Sequence, residues 1–325
     1  MRELDLSNIT RGVFGKNVKI RCENFETTDN FFIGDDVILE AKKIILGNNS
    51  VIERGVTVKA IKGVMSKFVI GDESLVGHNS QILVPEFRML DYSRMYNSVL
   101  CSGYKPVTIG YNCWIGQSAI LNSAELLKIG NNVRMGNSQI WTHVASGELL
   151  EGCSFFSEKP VTIEDNVWLM GFGHTVSPGV TLAKNTIVMS GSVVSKSTIP
   201  YHTYSGIPAV DITERLNGWK TITLDEKYEL LKNFIFEFTS EYSNYTSRVS
   251  LFENEDEEFI NSTKSEEDNL LFIKKVNSLD KYLGSKQTIF DLNTKKYIKR
   301  RTKLEIDWMK FAVGYRARFI PFNEL

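Results

Sequence analysis

Side chains that do chemistry are sparse in this chain of 325 residues, which has only four histidines and four cysteines. The cysteines (Cys22, Cys101, Cys113, Cys153) are widely separated, with no CxxC pair and no Cys/His ladder. That spacing argues against a zinc site and against a secreted disulfide framework. A metalloenzyme built on three convergent histidines would need three of His78, His143, His174 and His202, and their spacing does not suggest it. A lone histidine is usually just a satisfied or exposed polar residue. His143 is distinguished by its place, because an otherwise regular apolar rhythm breaks directly after it and resumes at Pro160.

Composition narrows the function classes. The chain carries 38 basic and 39 acidic residues, so no global charge favours nucleic acid or an acidic membrane surface. The N-terminus MRELDLSNITRG lacks the apolar core of a signal peptide, and no apolar run is long enough to span a bilayer. The expectation is a soluble cytoplasmic protein, without metal, nucleic acid or membrane as partner.

The elements that must position His143 follow from a repeat of six. FIGDDVILE (32–40), VIGDESLVGHNSQI (69–82), TIGYNCWIGQSAI (108–120), KIGNNVRMGNSQI (128–140), TIEDNVWL (162–169) and TLAKNTIVMSGSVV (181–194) share one pattern. An aliphatic residue precedes Gly or a small residue, then polar residues, then another aliphatic. A period of six with single aliphatics fits neither an amphipathic helix nor an ordinary hairpin. Short strands joined by tight turns and coiled into a parallel β-helix satisfy it, with three hexads to a coil. Asn and Asp after the glycines tolerate the positive φ of sharp corners.

Two stretches break the rhythm, 83–106 and 144–159, and both are expected to project as loops. The repeat stops after SGIPAVDI (205–212). The expected domains are therefore 1–212, the β-helix, and 213–325, a smaller and mostly helical α/β extension. Within it, Tyr228, Leu231, Ile235, Phe238 and Tyr242 predict a helix over 225–243. An acidic mobile segment (253–268), a second helix near 267–283, a strand pair around TIFDLNTKKYI and a last helix from Thr302 to Arg318 are expected to follow.

The hexads, the stretch after His143 and the run DNVW, PGV and GIPA in that order resemble the hexapeptide-repeat O-acetyltransferases. That group includes galactoside and maltose acetyltransferases and capsular polysialic acid O-acetyltransferases. The resemblance covers roughly 13–212 and is most specific over 129–209. It implies a left-handed β-helix, a homotrimer, and acetyl-CoA as co-substrate in a groove between subunits, acting on a carbohydrate hydroxyl. It also implies His143 as general base, since unassisted alcohols are poor nucleophiles at pH 7. Trp168 corresponds to the tryptophan lining the acetyl-donor pocket. Backbone N–H groups at Met170 or Gly171 are placed as oxyanion donors, and Ser190 and Lys196 match contacts to the pantetheine and phosphate ends of CoA. The chain departs from the pattern twice. WLMGFGHTVSPGV is one residue longer than the family's usual spacing from that tryptophan to PGV, which implies a bulge, and Val210 stands where a basic residue is common, so a CoA phosphate contact is either missing or supplied from elsewhere, by Lys184 or the tail.

Blander readings stand beside these. Trp168 and Trp141 read equally as turn-packing aromatics, and Asn122, one coil before His143, as an ordinary corner residue. Their functional readings are an acceptor contact for Trp141, and for Asn122 either such a contact or orientation of the imidazole. His78 and His174 read as corner or groove residues and His202 as structural. The basic run KKYIKRRTK (295–303) is a solvated face or a dock for an anionic polysaccharide. The function expected is acetyl transfer to a sugar hydroxyl of a bacterial capsular or lipopolysaccharide glycan. An N-acyltransferase of an amino-sugar nucleotide, or a non-catalytic scaffold, is the rival.

Overall fold

The computed structural model describes residues 1–28 and 30–323. The chain divides into two compact units, Met1–Trp219 and Lys220–Leu325. In the first, the hexads form short parallel strands stacked into a prism with three faces. Face 1 includes Leu100–Gly103, Ile120–Ser123, Ser138–Ile140, His174–Val176 and Val193–Val194. Face 2 includes Glu86–Met89, Val107–Ile109, Leu127–Ile129, Val161–Ile163 and Thr181–Leu182. Face 3 includes Arg94–Met95, Trp114–Ile115, Arg134–Met135, Trp168–Leu169 and Ile187–Val188. The chain visits the faces in the order 1, 2, 3 on every turn. This is the fold class expected from the sequence, a left-handed parallel β-helix with a smaller α/β module.

The hexad chemistry explains the coils. Aliphatic residues point inward and are fully buried, as at Ile109, Ile115, Leu121 and Ile129. Corner residues such as Asn79, Asn112, Asn132, Asn166 and Asn185 hold φ between 56° and 59°, which Asn tolerates better than most residues. Asp and Asn one position after the corner glycine accept a backbone N–H from the preceding coil. Asp35 takes that of Lys16 at 2.7 Å and Asn131 that of Tyr111 at 2.9 Å. Donors that a tight corner would leave unmet are thereby satisfied.

Residues 83–106 are not a projecting loop. They continue the prism, with Glu86–Met89, Arg94–Met95 and Leu100–Gly103 each paired to the coils before and after. Leu90 replaces the corner glycine and Tyr92 takes the positive φ (56°), which masks the hexad. Residues 144–159 do leave the coil, as a hairpin pairing His143–Ala145 with Phe156–Glu158.

The second unit is not mostly helical. Five strands form its sheet: Val249–Phe252, Leu270–Ile273, Thr288–Asp291, Lys296–Tyr297 and Ile320–Pro321. Helix α1 spans Leu224–Glu241 behind a Thr223/Glu226 capping box. The acidic segment holds a second helix, α2 (Glu257–Ser262), capped by Asp256 and anchored by the fully buried Phe259. The helix expected near 267–283 is instead the strand Leu270–Ile273 and one 3-10 turn. LLFI there is a continuous apolar run buried as a central parallel strand. The last helix, α3, is shorter than expected, Lys303–Ala312. Among the described residues no helix is long and apolar enough to cross a membrane.

Candidate active site

The strand Ser138–Ile140 ends at the edge between faces 1 and 2, where Trp141, Thr142 and His143 turn the chain into the hairpin. His143 is half-buried, and its Nδ1 lies 2.9 Å from Oδ1 of Asn122 on the coil before. The orientation of that amide is set by its other neighbours. Asn122 Oδ1 also accepts from Thr142 Oγ1 (2.9 Å) and from the backbone N–H groups of Thr142 (3.3 Å) and Ala124 (3.4 Å). An amide NH2 in that position would face two backbone N–H groups, which only donate, so the oxygen stays there. His143 Nδ1–H therefore donates to Asn122, and in the neutral ring Nε2 keeps its lone pair. Trp141 stands edge-on to the imidazole at 6.3 Å, its Nε1–H donating to Gln139 Oε1.

A second group gathers at the other edge of face 1, where face 3 ends. Trp168 pairs in register with Arg134 and Thr175 with Gln139. From Trp168 to Thr175 the chain advances seven positions, where Arg134 to Gln139 advances five. The surplus sits in Met170–Gly173, with Gly171 and Gly173 at φ 82° and 78°. Gly136 lies over this bulge so closely that a Cβ there would fall 1.5 Å from the Gly171 carbonyl oxygen. Of the two expected oxyanion donors, Met170 is removed, because its N–H is taken by the Val188 carbonyl at 2.8 Å. Gly171 N–H makes no bond within the protein among the described residues. Ser190 Oγ fixes the bulge from below by donating to Met170 O at 2.8 Å.

The two groups are separate within one chain. His143, Asn122 and Trp141 occupy the edge between faces 1 and 2, and exposed Lys196 lies on that same edge two coils later. Trp168, Gly171 and Ser190 lie at the opposite edge, across strands of about four residues, roughly 13 Å.

His174 is not a corner residue. It points inward, 1% exposed, with Ser138 Oγ 3.1 Å from its Nδ1, and burial holds its pKa below the usual value. His78 faces Glu53, and His202 pairs with Asp211. Val210 is exposed, and Lys184 Nζ stands 6.0 Å over the Tyr201 ring. Among the described residues no three His, Cys, Asp or Glu side chains gather as a metal site. Trp219 was not signalled by the repeat, because it lies beyond it. Its ring packs on that of Trp168 at 4.8 Å, with Tyr201 edge-on at 6.2 Å. Gly136 was equally silent, since its constraint comes from a bulge one coil away.

No protein-family model matches the chain. Curated relatives do match it. It is 29% identical over 111 residues to the galactoside O-acetyltransferase of Escherichia coli, which covers 33% of this chain and 54% of that one. It is 30% identical over 133 residues to the galactoside O-acetyltransferase of Lactococcus lactis, covering 39% and 63%. The similarity is to acetyltransferases. It bears out the resemblance read from the hexads and from 129–209, over a segment spanning half to under two thirds of these relatives. Among solved structures, an Arabidopsis UDP-N-acetylglucosamine acyltransferase overlaps 70% of this chain and 81% of its own at 16% identity, with a TM-score of 0.40.

Proposed function

We propose that the protein is an acetyl-CoA-dependent O-acetyltransferase, with His143 as general base and a sugar hydroxyl of a bacterial capsular or lipopolysaccharide glycan as acceptor, working in the cytoplasm as a homotrimer. The observation that carries this reading is the bond from His143 Nδ1–H to Asn122 Oδ1, which leaves Nε2 as the free base. Nε2 takes the hydroxyl proton as the sugar oxygen attacks the thioester carbonyl. Gly171 N–H stabilises the tetrahedral oxyanion. Collapse breaks the carbon–sulfur bond, and the imidazolium returns its proton to the departing thiolate, leaving CoA and the sugar ester.

The trimer is supported by the separation of the two groups. One chain holds the base at one edge of face 1 and the oxyanion donor at the other. Three copies with face 1 turned to a common axis would set each base edge against a neighbour's donor edge and close. The outward column of face 1 through Leu100, Ile120, Gln139, Thr175 and Val193 is uncharged, as such a buried surface requires. The hairpin tip after His143 also presents Leu149, Leu150, Phe155 and Phe156, all strongly exposed, for a neighbour to cover.

The test follows free thiol from acetyl-CoA over a panel of sugar acceptors, with products located by mass spectrometry. Thiol release that ends in an O-acetyl ester, and falls by about 10²–10⁴ in His143→Ala, is the expected result. Release only with amine acceptors would replace this reading with N-acylation, and no release with any acceptor would leave a scaffold.

A further inference from the structure

Face 3 carries an outward column unlike those of the other two faces. Strand register aligns Leu75, Arg94, Trp114, Arg134, Trp168 and Ile187, one per coil. The interior needs only their inward neighbours, Met95, Ile115, Met135 and Leu169. On face 2 the equivalent outward column reads Arg88, Thr108, Lys128, Thr162 and Thr181, basic at two positions but with no aromatic plate between them. On face 3 an indole that is 44% exposed lies between two guanidinium groups. Arg134 stands over its ring at 5.5 Å and Tyr96 packs at its side at 5.6 Å. No carboxylate enters the column from Leu75 to Ile187, and exposed Arg94 has no ion-pair partner among the described residues. Two like charges therefore flank a flat apolar plate, one interstrand step of roughly 4.8 Å to either side. An anion would pair with exposed Arg94, and a ring with an apolar face would cover the indole.

We infer that Arg94, Trp114 and Arg134 form a binding track for a carboxylate-bearing oligosaccharide, a sugar ring packing on the exposed part of Trp114 beside Arg134 while an acidic group meets Arg94. The column runs on to Trp168, whose ring Trp219 covers, so the track ends beside that pair on the coil that carries the bulge at Gly171. The inference deepens the acetyl-transfer reading and rests on it for the ligand being the acceptor. It restricts that acceptor to acidic glycans, and it places the selecting residues on coils that precede the bulge.

The experiment prints uronic- and nonulosonic-acid oligosaccharides beside neutral ones of equal length and measures binding of the full chain. Acidic glycans should bind and neutral ones should not, and binding should weaken as salt screens the exposed charges. Arg94→Glu and Trp114→Ala should each weaken it by roughly tenfold or more, a change of about 1.4 kcal/mol. Arg94 is exposed, so its variant tests the track even where the tryptophan variant folds poorly. Lys128→Glu makes the same charge change on face 2 and should leave binding intact. Equal binding of neutral glycans, an Arg94→Glu protein that binds like the wild type, or an equal loss in Lys128→Glu would each overturn the track. Glycan binding without thiol release would sink the enzyme reading and leave the track standing. Thiol release without binding of any acidic glycan would do the reverse.

Discussion

His143 donates its Nδ1 proton to an amide oxygen, Asn122 Oδ1 at 2.9 Å, whose own orientation is fixed by two backbone N–H groups and a hydroxyl. The tautomer of the base is thus set one coil away from it. Asn122→Ala removes the acceptor and frees the ring to turn and to place its proton on either nitrogen. Loss of such a buried bond is worth about 1–3 kcal/mol, which reads as roughly tenfold to 10²-fold in turnover. Asn122→Asp keeps an acceptor in place and should hold most of the rate. Thiol-release kinetics on both variants check this. Equal losses in the two would mean that Asn122 serves packing and not the tautomer.

Gly136→Ala should damage activity without touching either the base or the sugar. Its new Cβ would meet the Gly171 carbonyl oxygen at 1.5 Å, so one coil must shift away from the other. Movement of an angstrom displaces the Gly171 N–H from a developing oxyanion, and a lost oxyanion donor costs about 10²–10³ in turnover. The β-helix circular dichroism and acetyl-CoA binding should survive, since the strain is confined to one corner. Unchanged turnover in a folded Gly136→Ala protein would exclude Gly171 as the donor.

Which features the sequence disclosed depends on whether their cause is local. Gly-Asp corners and inward aliphatics repeat every six residues, so the prism was legible from FIGDD, VIGDE and TIGYN. Residues 83–106 hid because Leu90 and Tyr92 occupy a corner that their types do not announce. Leu270–Ile273 misled in the opposite way, because a short apolar run buried on both sides has no period to separate strand from helix. The position of His143 was visible where the rhythm broke. Its bond to Asn122, the pressure of Gly136 on Gly171 and the stacking of Trp219 on Trp168 join different coils, and no single stretch of sequence carries them.

Cysteine reactivity should follow burial. Cys22, Cys101 and Cys113 are buried, and burial pushes the Cys113 thiol up to about 12, where no thiolate forms near neutrality. Cys153 is exposed at the hairpin tip, and backbone hydrogen bonds from Phe155 and Glu148 lower its pKa. A thiol reagent should therefore titrate one cysteine in the native protein and none in Cys153→Ser. Titration of two or more in the native state would show that the prism interior opens. The same variant also removes the background from the thiol-release assay.

Stability should fall in acid through His174. Burial lowers its pKa, so the folded protein keeps the ring neutral while the unfolded chain protonates it more readily. Its contribution is whole above the unfolded histidine value of about 6.5 and is lost as pH falls from there toward the depressed folded value. Urea midpoints at several pH values, compared between wild type and His174→Gln, measure the term. The variant should show a shallower decline below about pH 6.5. Parallel declines would place the acid sensitivity elsewhere.

Sharing of each site between two copies of the chain can be tested by mixing two inactive chains. In the proposed trimer a site combines the His143 edge of one copy with the Gly171 edge of the next. A His143→Ala chain spoils only the first edge, and a Gly136→Ala chain only the second. Neither homotrimer should turn over. In trimers assembled from equal amounts of both, a site works when the Gly136→Ala copy supplies the base and the His143→Ala copy supplies the bulge. Random assembly gives that pairing at about a quarter of sites, since each of two positions is filled correctly half the time. Co-expression with two affinity tags, followed by thiol release, should thus recover roughly a quarter of wild-type turnover. If base and donor instead met within one chain, every chain in the mixture would carry a defect in its own site. The mixture would then stay as inactive as its parents, and the shared-site geometry would be wrong.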